Sequence, residues 1–208
     1  MKGVPVPNDR RVDVDGFQCG QQLTLFVVKR GQESLTSQRA AIVLVLSRPT
    51  RAARVTRGAL YHHFEDKKAL FDAVVVLMQA EAAVKIEQEA RKQPAIWDRL
   101  IVGIGAYLDV CLDPAYARIV IQEGPAVLGA DRYREIEEAY PQALLKETFK
   151  ALKRRGELHC EDIDLLTRMA DAMICKMAIM LPDAKDPKQL RKRGQSLIGN
   201  LLESLRKR

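Results

Sequence analysis

VTRGALYHHFEDKKALF, residues 55–71 of this 208-residue chain, is the stretch that decides its fold. Thr56 is a favourable helix N-cap, and Leu60 and Phe64 lie four residues apart on one helical face. Asp66 then offers a second helix start, because a carboxylate at the N-terminal end of a helix accepts free backbone N–H groups. The stretch predicts two helices that follow each other closely.

Hydrogen-bond donors are concentrated where these two helices meet. Tyr61, His62 and His63 close the first helix, and Lys67 and Lys68 follow the second helix start at once. A helix N-terminus carries partial positive charge and free N–H groups, so lysines beside it favour phosphate binding. This arrangement is typical of a surface that faces a polyanion.

The order of these residues resembles the recognition helix and following helix start of the TetR family of transcriptional regulators. The family pattern runs Val, Ser or Thr, any residue, Gly, any residue, Leu-Tyr, any residue, His-Phe, two residues and Lys, before an apolar run. Every defined position is filled, by Val55, Thr56, Gly58, Leu60, Tyr61, His63, Phe64, Lys67 and Leu70. The resemblance implies an all-α fold, with an N-terminal helix-turn-helix module followed by a helical ligand-binding and dimerisation domain.

The resemblance also implies which residues contact double-stranded DNA. Bases would be contacted by Thr56, Arg57 and Gly58, and backbone phosphates by Tyr61, His62, His63 and Lys67. Arg57 is the best candidate for reading guanine, because a guanidinium can donate to O6 and N7 together.

Three regions follow from this comparison. Residues 1–16, with two prolines and two glycines, are expected to be a flexible arm, and residues 17–70 the helix-turn-helix module. Residues 71–208 are expected to form the ligand-binding and dimerisation domain. The module is atypical before Val55, because residues 47–50 (SRPT) would break a helix where a tight turn should begin. Either this segment is a divergent helix-turn-helix or an upstream frameshift has replaced it.

Charge is distributed unevenly along the chain, whose formal net charge is +7. Residues 1–70 carry 12 Lys or Arg against 6 Asp or Glu, residues 71–184 carry 14 against 19, and residues 185–208 carry 8 against 2. A basic N-terminal third beside the motif suits attraction to a nucleic-acid backbone. The basic C-terminal end is interpreted as a solubilising tail.

Catalytic and metal chemistry finds little support in the sequence. The four cysteines form no CxxC pair, and neighbouring side chains such as His62 and His63 point about 100° apart on a helix. The adjacent pair His159-Cys160 likewise lacks the geometry of a nucleophile and its base. We therefore expect no enzyme activity, no metal and no cofactor. The absence of a long apolar run or a leader predicts a cytoplasmic protein that does not enter the membrane.

Beyond the motif, helical periodicity continues to the end of the chain without strand alternation. The predicted helices are 66–91, 96–111, 113–122 ending at Gly124-Pro125, 131–155 kinked at Pro141 and stopped by Gly156, 161–181, and 186–206. The methionine-rich helix 161–181 suits either core packing or an adaptable pocket.

The resemblance implies a small apolar effector among the central helices and a homodimer formed by the last two helices, 161–181 and 186–206. Plausible pocket residues, each of which can equally be core, are Trp97, Leu100, Ile104, Tyr107, Tyr116, Phe149, Met173 and Met177. The predicted function is a ligand-responsive transcriptional regulator, a repressor that binds a palindromic operator as a dimer. The alternative is a dimeric helical protein that binds a ligand or a protein and has a defective or divergent DNA-binding module.

Overall fold

A computed structural model describes Phe64 and residues 66–207 of the chain. The predicted arm at residues 1–16 and most of the predicted helix-turn-helix module lie outside these residues. The described part is helical and contains no strand, apart from an isolated bridge between Leu158 and Arg206. The predicted all-α fold is confirmed.

The order of the helices agrees closely with the sequence pattern. They are α1 Lys67–Arg91, α2 Ile96–Val110, α3 Pro114–Tyr116, a π-helical segment Ala117–Glu123, α4 Gly124–Leu128, α5 Ala130–Ala139, α6 Pro141–Arg154, α7 Ile163–Met180 and α8 Pro187–Glu203.

Aspartate N-caps explain where several of these helices begin. Asp66 accepts a hydrogen bond of 2.7 Å from the backbone N–H of Ala69 at the start of α1. Asp113, Asp162 and Asp186 cap α3, α7 and α8 in the same way. Each cap satisfies a backbone donor that has no partner inside the helix, and such a cap stabilises by about 1 kcal/mol.

The expected helix end at Gly124-Pro125 is wrong. The chain passes from the π-helical segment straight into α4 and stops only at Gly129, which has a φ of +87°. Pro125 lies in the first turn of α4, where its missing N–H removes no helical hydrogen bond. Gly124 is needed for packing, because a Cβ there would lie 2.8 Å from Cε2 of Tyr133.

The expected single helix over residues 131–155 is also wrong, because Pro141 separates it into α5 and α6. Tyr140 between them has φ −122° and ψ −97°, which is outside the helical region. Proline opposes the helical conformation in the residue before it, so the chain turns and α6 starts afresh with Pro141 in its first turn. Gly156, with a φ of +71°, follows the end of α6 as predicted.

One core joins these helices. Its fully buried side chains come from α1, α2, the π-helical segment, α5, α6 and α7, and include Val75, Leu108, Val120, Ile136, Phe149, Leu152 and Ala170. Helix α1 therefore packs along most of its length against the helices that follow it.

Within the described residues, no single helix is long and apolar enough to cross a membrane. Helix α2 and the helical stretch from Pro114 to Leu128 pass that test only as a pair, bent by 80°.

Candidate functional site

A cavity of about 620 Å³ lies between α1, α2, α6 and α7. Its wall is mostly apolar and carries a few polar groups, which is the usual composition of a small-molecule site. The lining residues are Ile86, Glu87, Ala90, Arg91, Ile96, Arg99, Leu100, Gly103, Ile104, Tyr107, Pro141, Leu144, Leu145, Glu147, Thr148, Ala151, Asp171 and Ile174.

Of the predicted pocket residues, Leu100, Ile104 and Tyr107 lie on this wall. All three belong to α2 and are at least 94% buried. Their spacing of four and three residues places them on one face of the helix, which explains why periodicity could identify them.

The other five predicted pocket residues lie away from the cavity wall. Trp97, Tyr116 and Phe149 are buried in the core, with the guanidinium of Arg206 lying 5.4 Å from the centre of the Trp97 ring. Met173 and Met177 are partly buried against the core. The contribution of these five residues to ligand binding stays a prediction.

The sequence reasoning missed the walls formed by α1, α6 and α7. Helix α6 alone contributes six lining residues, among them Leu144 and Leu145. For Asp171, the helical spacing in the sequence was a usable signal, because this residue lies four positions after Thr167 and three before Ile174. Both of those side chains are buried, so the carboxylate lies on the inner face of α7.

Most charged groups on the wall already have partners. Arg91 Nη2 donates to Glu87 Oε1 over 2.7 Å, and Arg99 Nε donates to the carbonyl of Gln93 over 2.7 Å. Glu147 accepts from Lys150 over 2.7 Å. These contacts hold the charges at the edge of the cavity.

Asp171 has a different environment, because its partners are uncharged. Its Oδ2 accepts a hydrogen bond of 2.9 Å from Gln142 Nε2, and the thiol of Cys175 lies 3.9 Å from Oδ1. The same thiol lies 3.7 Å from Oε1 of Glu137. Burial raises the pKa of Asp171, and burial together with the charge of Asp171 raises the pKa of Glu137 to about 7.

Two contacts tie the rest of α1 to α3 and α5. Tyr116 donates a buried hydrogen bond of 2.7 Å to Oε1 of Gln79, and Arg132 forms an ion pair with Asp72. Helix α1 is thus held by side-chain contacts near its start and near its middle, and its C-terminal end forms part of the cavity wall.

The start of α1 carries the part of the predicted DNA-binding surface that the structure describes. Lys67 and Lys68 are exposed, whereas Leu70 and Phe71 are buried in the core. The predicted contacts Thr56, Arg57, Gly58, Tyr61, His62 and His63 lie outside the described residues. Lys67 therefore stands on a helix end that the core holds in place.

Helices α7 and α8 expose large apolar side chains. Between 44% and 62% of each of these residues is accessible to solvent: Leu165, Met169, Ile179, Met180, Leu197 and Leu201. In the part of the chain covered by residues 66–207, no group of three or more His, Cys, Asp or Glu could hold a metal ion.

Two family descriptions match the chain. Residues 97–205 match "Tetracyclin repressor-like, C-terminal domain", and residues 50–74 match "Bacterial regulatory proteins, tetR family". The second match contains the motif from which the family resemblance was recognised. It begins at residue 50, so the atypical residues 17–49 lie outside it.

Individual relatives agree with these matches. The transposon Tn10 TetC protein of Escherichia coli is 29% identical over 146 residues, which are 69% of this chain and 71% of that protein. A TetR-family transcriptional regulator from Pectobacterium atrosepticum is 25% identical, with a TM-score of 0.65 over 85% of this chain and 99% of its own.

A third relative supports the fold alone. The fatty acid degradation regulator FadR from Bacillus halodurans is 18% identical, with a TM-score of 0.64 over 81% of this chain and 97% of its own. Since the C-terminal family match covers more than half of the sequence, and the motif lies within the N-terminal one, this chain belongs to the TetR family of DNA-binding transcriptional regulators.

Proposed function

We propose that this protein is a ligand-responsive repressor that binds a palindromic operator as a homodimer, and that its effector occupies the cavity between α1, α2, α6 and α7. One observation carries this proposal. The last two turns of α1 contribute Ile86, Glu87, Ala90 and Arg91 to the cavity wall, and the first turn of the same helix carries the last motif positions, Lys67 and Leu70.

A ligand in the cavity would act on α1 because the helix is rigid between its two ends. The helix spans 25 residues, which corresponds to about 37 Å at 1.5 Å per residue. A shift of the cavity end against the contacts at Gln79 and Asp72 would change the direction of the start of the helix. The effector then selects between two populations, only one of which suits the operator.

The DNA contacts in this proposal follow from the motif. Thr56, Arg57 and Gly58 would contact bases, and Tyr61, His62, His63 and Lys67 would contact phosphates. In a dimeric helix-turn-helix protein, the two half-sites lie about 34–36 Å apart or a multiple of that distance.

The homodimer would form through α7 and α8, since these helices carry the exposed apolar side chains Leu165, Met169, Leu197 and Leu201. Pairing with the same helices of a second subunit would bury these groups in an apolar interface. The effector is expected to be small and largely apolar, as is most of the cavity wall.

Selection of genomic fragments by the purified full chain tests the DNA-binding part of the proposal. The recovered sequences should converge on one palindrome, and random recovery would contradict the proposal. Ala151→Phe, which fills the cavity from α6, should leave operator binding intact and abolish its response to effector. Ala139→Leu, at an exposed position of α5, is the control.

A second candidate function follows from the restricted N-terminal match, which begins at residue 50. In that case the protein is a dimeric helical ligand- or protein-binding protein, and residues 17–49 do not support specific DNA recognition. The same selection would then recover random fragments, while a ligand would still bind in the cavity and Ala151→Phe would still block it.

A further inference from the structure

Asp171 differs from the other carboxylates on the cavity wall, Glu87 and Glu147. The charges of Arg91, Glu87 and Glu147 are balanced by ion pairs, and Arg99 donates to a backbone carbonyl. Among the described residues, Asp171 forms no ion pair, and its partners are the uncharged amide of Gln142 and the thiol of Cys175. The cavity therefore contains one carboxylate whose charge this part of the chain does not balance.

A second carboxylate lies immediately behind it. Glu137 of α5 shares the thiol of Cys175 with Asp171, and Glu137 also has no ion pair among residues 66–207. Moving a carboxylate out of water without a cation is unfavourable, and two such groups beside one another repel. The raised pKa values of both carboxyl groups express this cost. A cation beside Asp171 would relieve it.

The cavity wall has two chemically different ends along α2. Tyr107, the aromatic member of the wall, lies eight residues after Arg99 on α2, which separates the two by about 12 Å along the helix axis. Arg99 and Arg91 lie beside the loop that joins α1 to α2. The apolar side chains Leu100, Ile104 and Leu144 belong to the same wall.

We propose that the cavity binds an organic cation with an apolar body, whose ammonium group donates hydrogen bonds to the carboxylate of Asp171. This assignment rests on the proposed function, because it names the chemical class of the effector for the same cavity. The hydrocarbon part of the ligand lies against the apolar wall, and the ring of Tyr107 offers an additional surface that attracts cations.

The arrangement of charges favours a cation over an anion. A carboxylate ligand beside Asp171 would bring a second negative charge towards it. Of the two arginines on the wall, Arg91 is paired with Glu87, and Arg99 donates to the carbonyl of Gln93. A neutral ligand would leave the charge of Asp171 unbalanced. A cation with an apolar body fills the apolar space and also balances the charge of Asp171 through a charge-assisted hydrogen bond.

Matched ligands test this proposal. Dehydroabietylamine, dehydroabietinol and dehydroabietic acid share one tricyclic body and differ in charge, and phenylbutylamine, phenylbutanol and phenylbutanoate form a smaller set. Isothermal titration of the full-length protein should give tighter binding for the amines than for the alcohols and acids. Asp171→Asn should weaken binding of the amines about tenfold or more and leave the alcohols unchanged.

A matched control is available on the same helix. Asp164 is exposed and forms an ion pair with Lys146, so Asp164→Asn removes the same charge without touching the cavity. It should leave the affinity for amines unchanged. Asp171→Asn should also raise the melting temperature of the ligand-free protein, because it removes an unbalanced, half-buried charge. If the Asp171 carboxylate had a purely structural role, the substitution would instead lower the melting temperature.

Three outcomes would overturn the assignment. Acids or alcohols could bind more tightly than amines, the Asp171→Asn variant could bind amines as tightly as the unmodified protein, or no amine could bind at all. They remain distinguishable from failure of the proposed function. If the alcohols or acids bind and Ala151→Phe blocks them, the cavity is a ligand site and only its preference for cations is wrong.

Discussion

Arg132 of α5 holds Asp72 of α1 with two parallel hydrogen bonds, 2.6 Å from Nε to Oδ2 and 2.9 Å from Nη2 to Oδ1. The two residues are 60 positions apart in the sequence. Asp72 lies less than two turns after the N-cap of α1, so this contact connects the start of α1, where the family motif ends, directly to α5.

Arg132→Gln is expected to change the coupling between effector and operator more than it changes stability. The two side chains are 43% and 26% exposed, and ion pairs of this kind typically contribute about 0–1 kcal/mol. A bidentate pair nevertheless fixes orientation as well as distance. The ratio of the operator affinities measured with and without ligand should therefore change severalfold, while the melting temperature changes little.

Arg134→Gln is the control for this variant, because Arg134 pairs with Asp131 inside α5 and makes no ion pair with α1. An equal effect of both substitutions on operator binding would mean that charge alone, and not the contact with Asp72, is responsible.

Lys67→Ala is expected to weaken binding to all DNA sequences alike. Lys67 is the first residue of α1 and is exposed beside the positive end of the helix, where a phosphate would be bound. Loss of one phosphate contact per subunit should also reduce the slope of log affinity against log salt by about 0.9 for each subunit.

Lys85→Ala provides the comparison, since Lys85 is exposed on the same helix but 18 residues further along. Arg57→Ala should behave differently from both and relax sequence preference, because the predicted contact of Arg57 is with guanine. If Lys67→Ala and Arg57→Ala both keep the affinity, salt dependence and specificity of the unmodified protein, the motif is not part of the DNA interface.

Leu197→Glu is expected to convert dimers into monomers. Leu197 is 62% exposed on α8, and a carboxylate in the proposed apolar interface would have no partner. Sedimentation equilibrium measures the change. Val127→Glu introduces the same charge at a 41% exposed apolar position of α4 and should leave the dimer intact. Persistence of the Leu197→Glu dimer would place the interface elsewhere.

Local sequence signals accounted for much of the fold. Asp66 predicted a helix start, and the helices expected from residues 113 and 186 also begin at aspartate caps, because capping depends only on a side chain and the next three residues. Glycine and proline were less informative. Gly124-Pro125 is also compatible with a helix that continues, and the outcome depends on the packing of Gly124 against Tyr133, which sequence spacing does not reveal.

The cavity was less predictable for a related reason. Apolar periodicity identifies the inner face of each helix, as it did for Leu100 and Ile104, but it does not distinguish a residue at a void from one in contact with another helix. Phe149 is fully buried in the core although Thr148, one position earlier, lies on the cavity wall. That difference depends on how α6 is rotated against α2.

Glu137 gives a prediction for stability against pH. Its pKa is about 7 in the folded protein, where burial and the charge of Asp171 favour the protonated form, against 4.5 without those influences. The folded state therefore binds more protons than the unfolded state between these two values. The stabilisation is fully present below about pH 4.5 and is lost as the pH rises through 7, by at most about 3 kcal/mol.

Glu137→Gln tests this prediction, because an amide has the shape of the protonated carboxyl group but does not titrate. Urea unfolding at fixed protein concentration should give a smaller fall in the free energy of unfolding between pH 5 and pH 8 than in the unmodified protein. The variant should be the more stable of the two at pH 8. Glu138→Gln, at the exposed neighbouring position, should keep the original dependence. If Glu137→Gln also keeps the original pH dependence, the carboxyl group of Glu137 is not the one that makes stability fall as the pH rises. The burial of that carboxyl group must then be compensated within the folded protein.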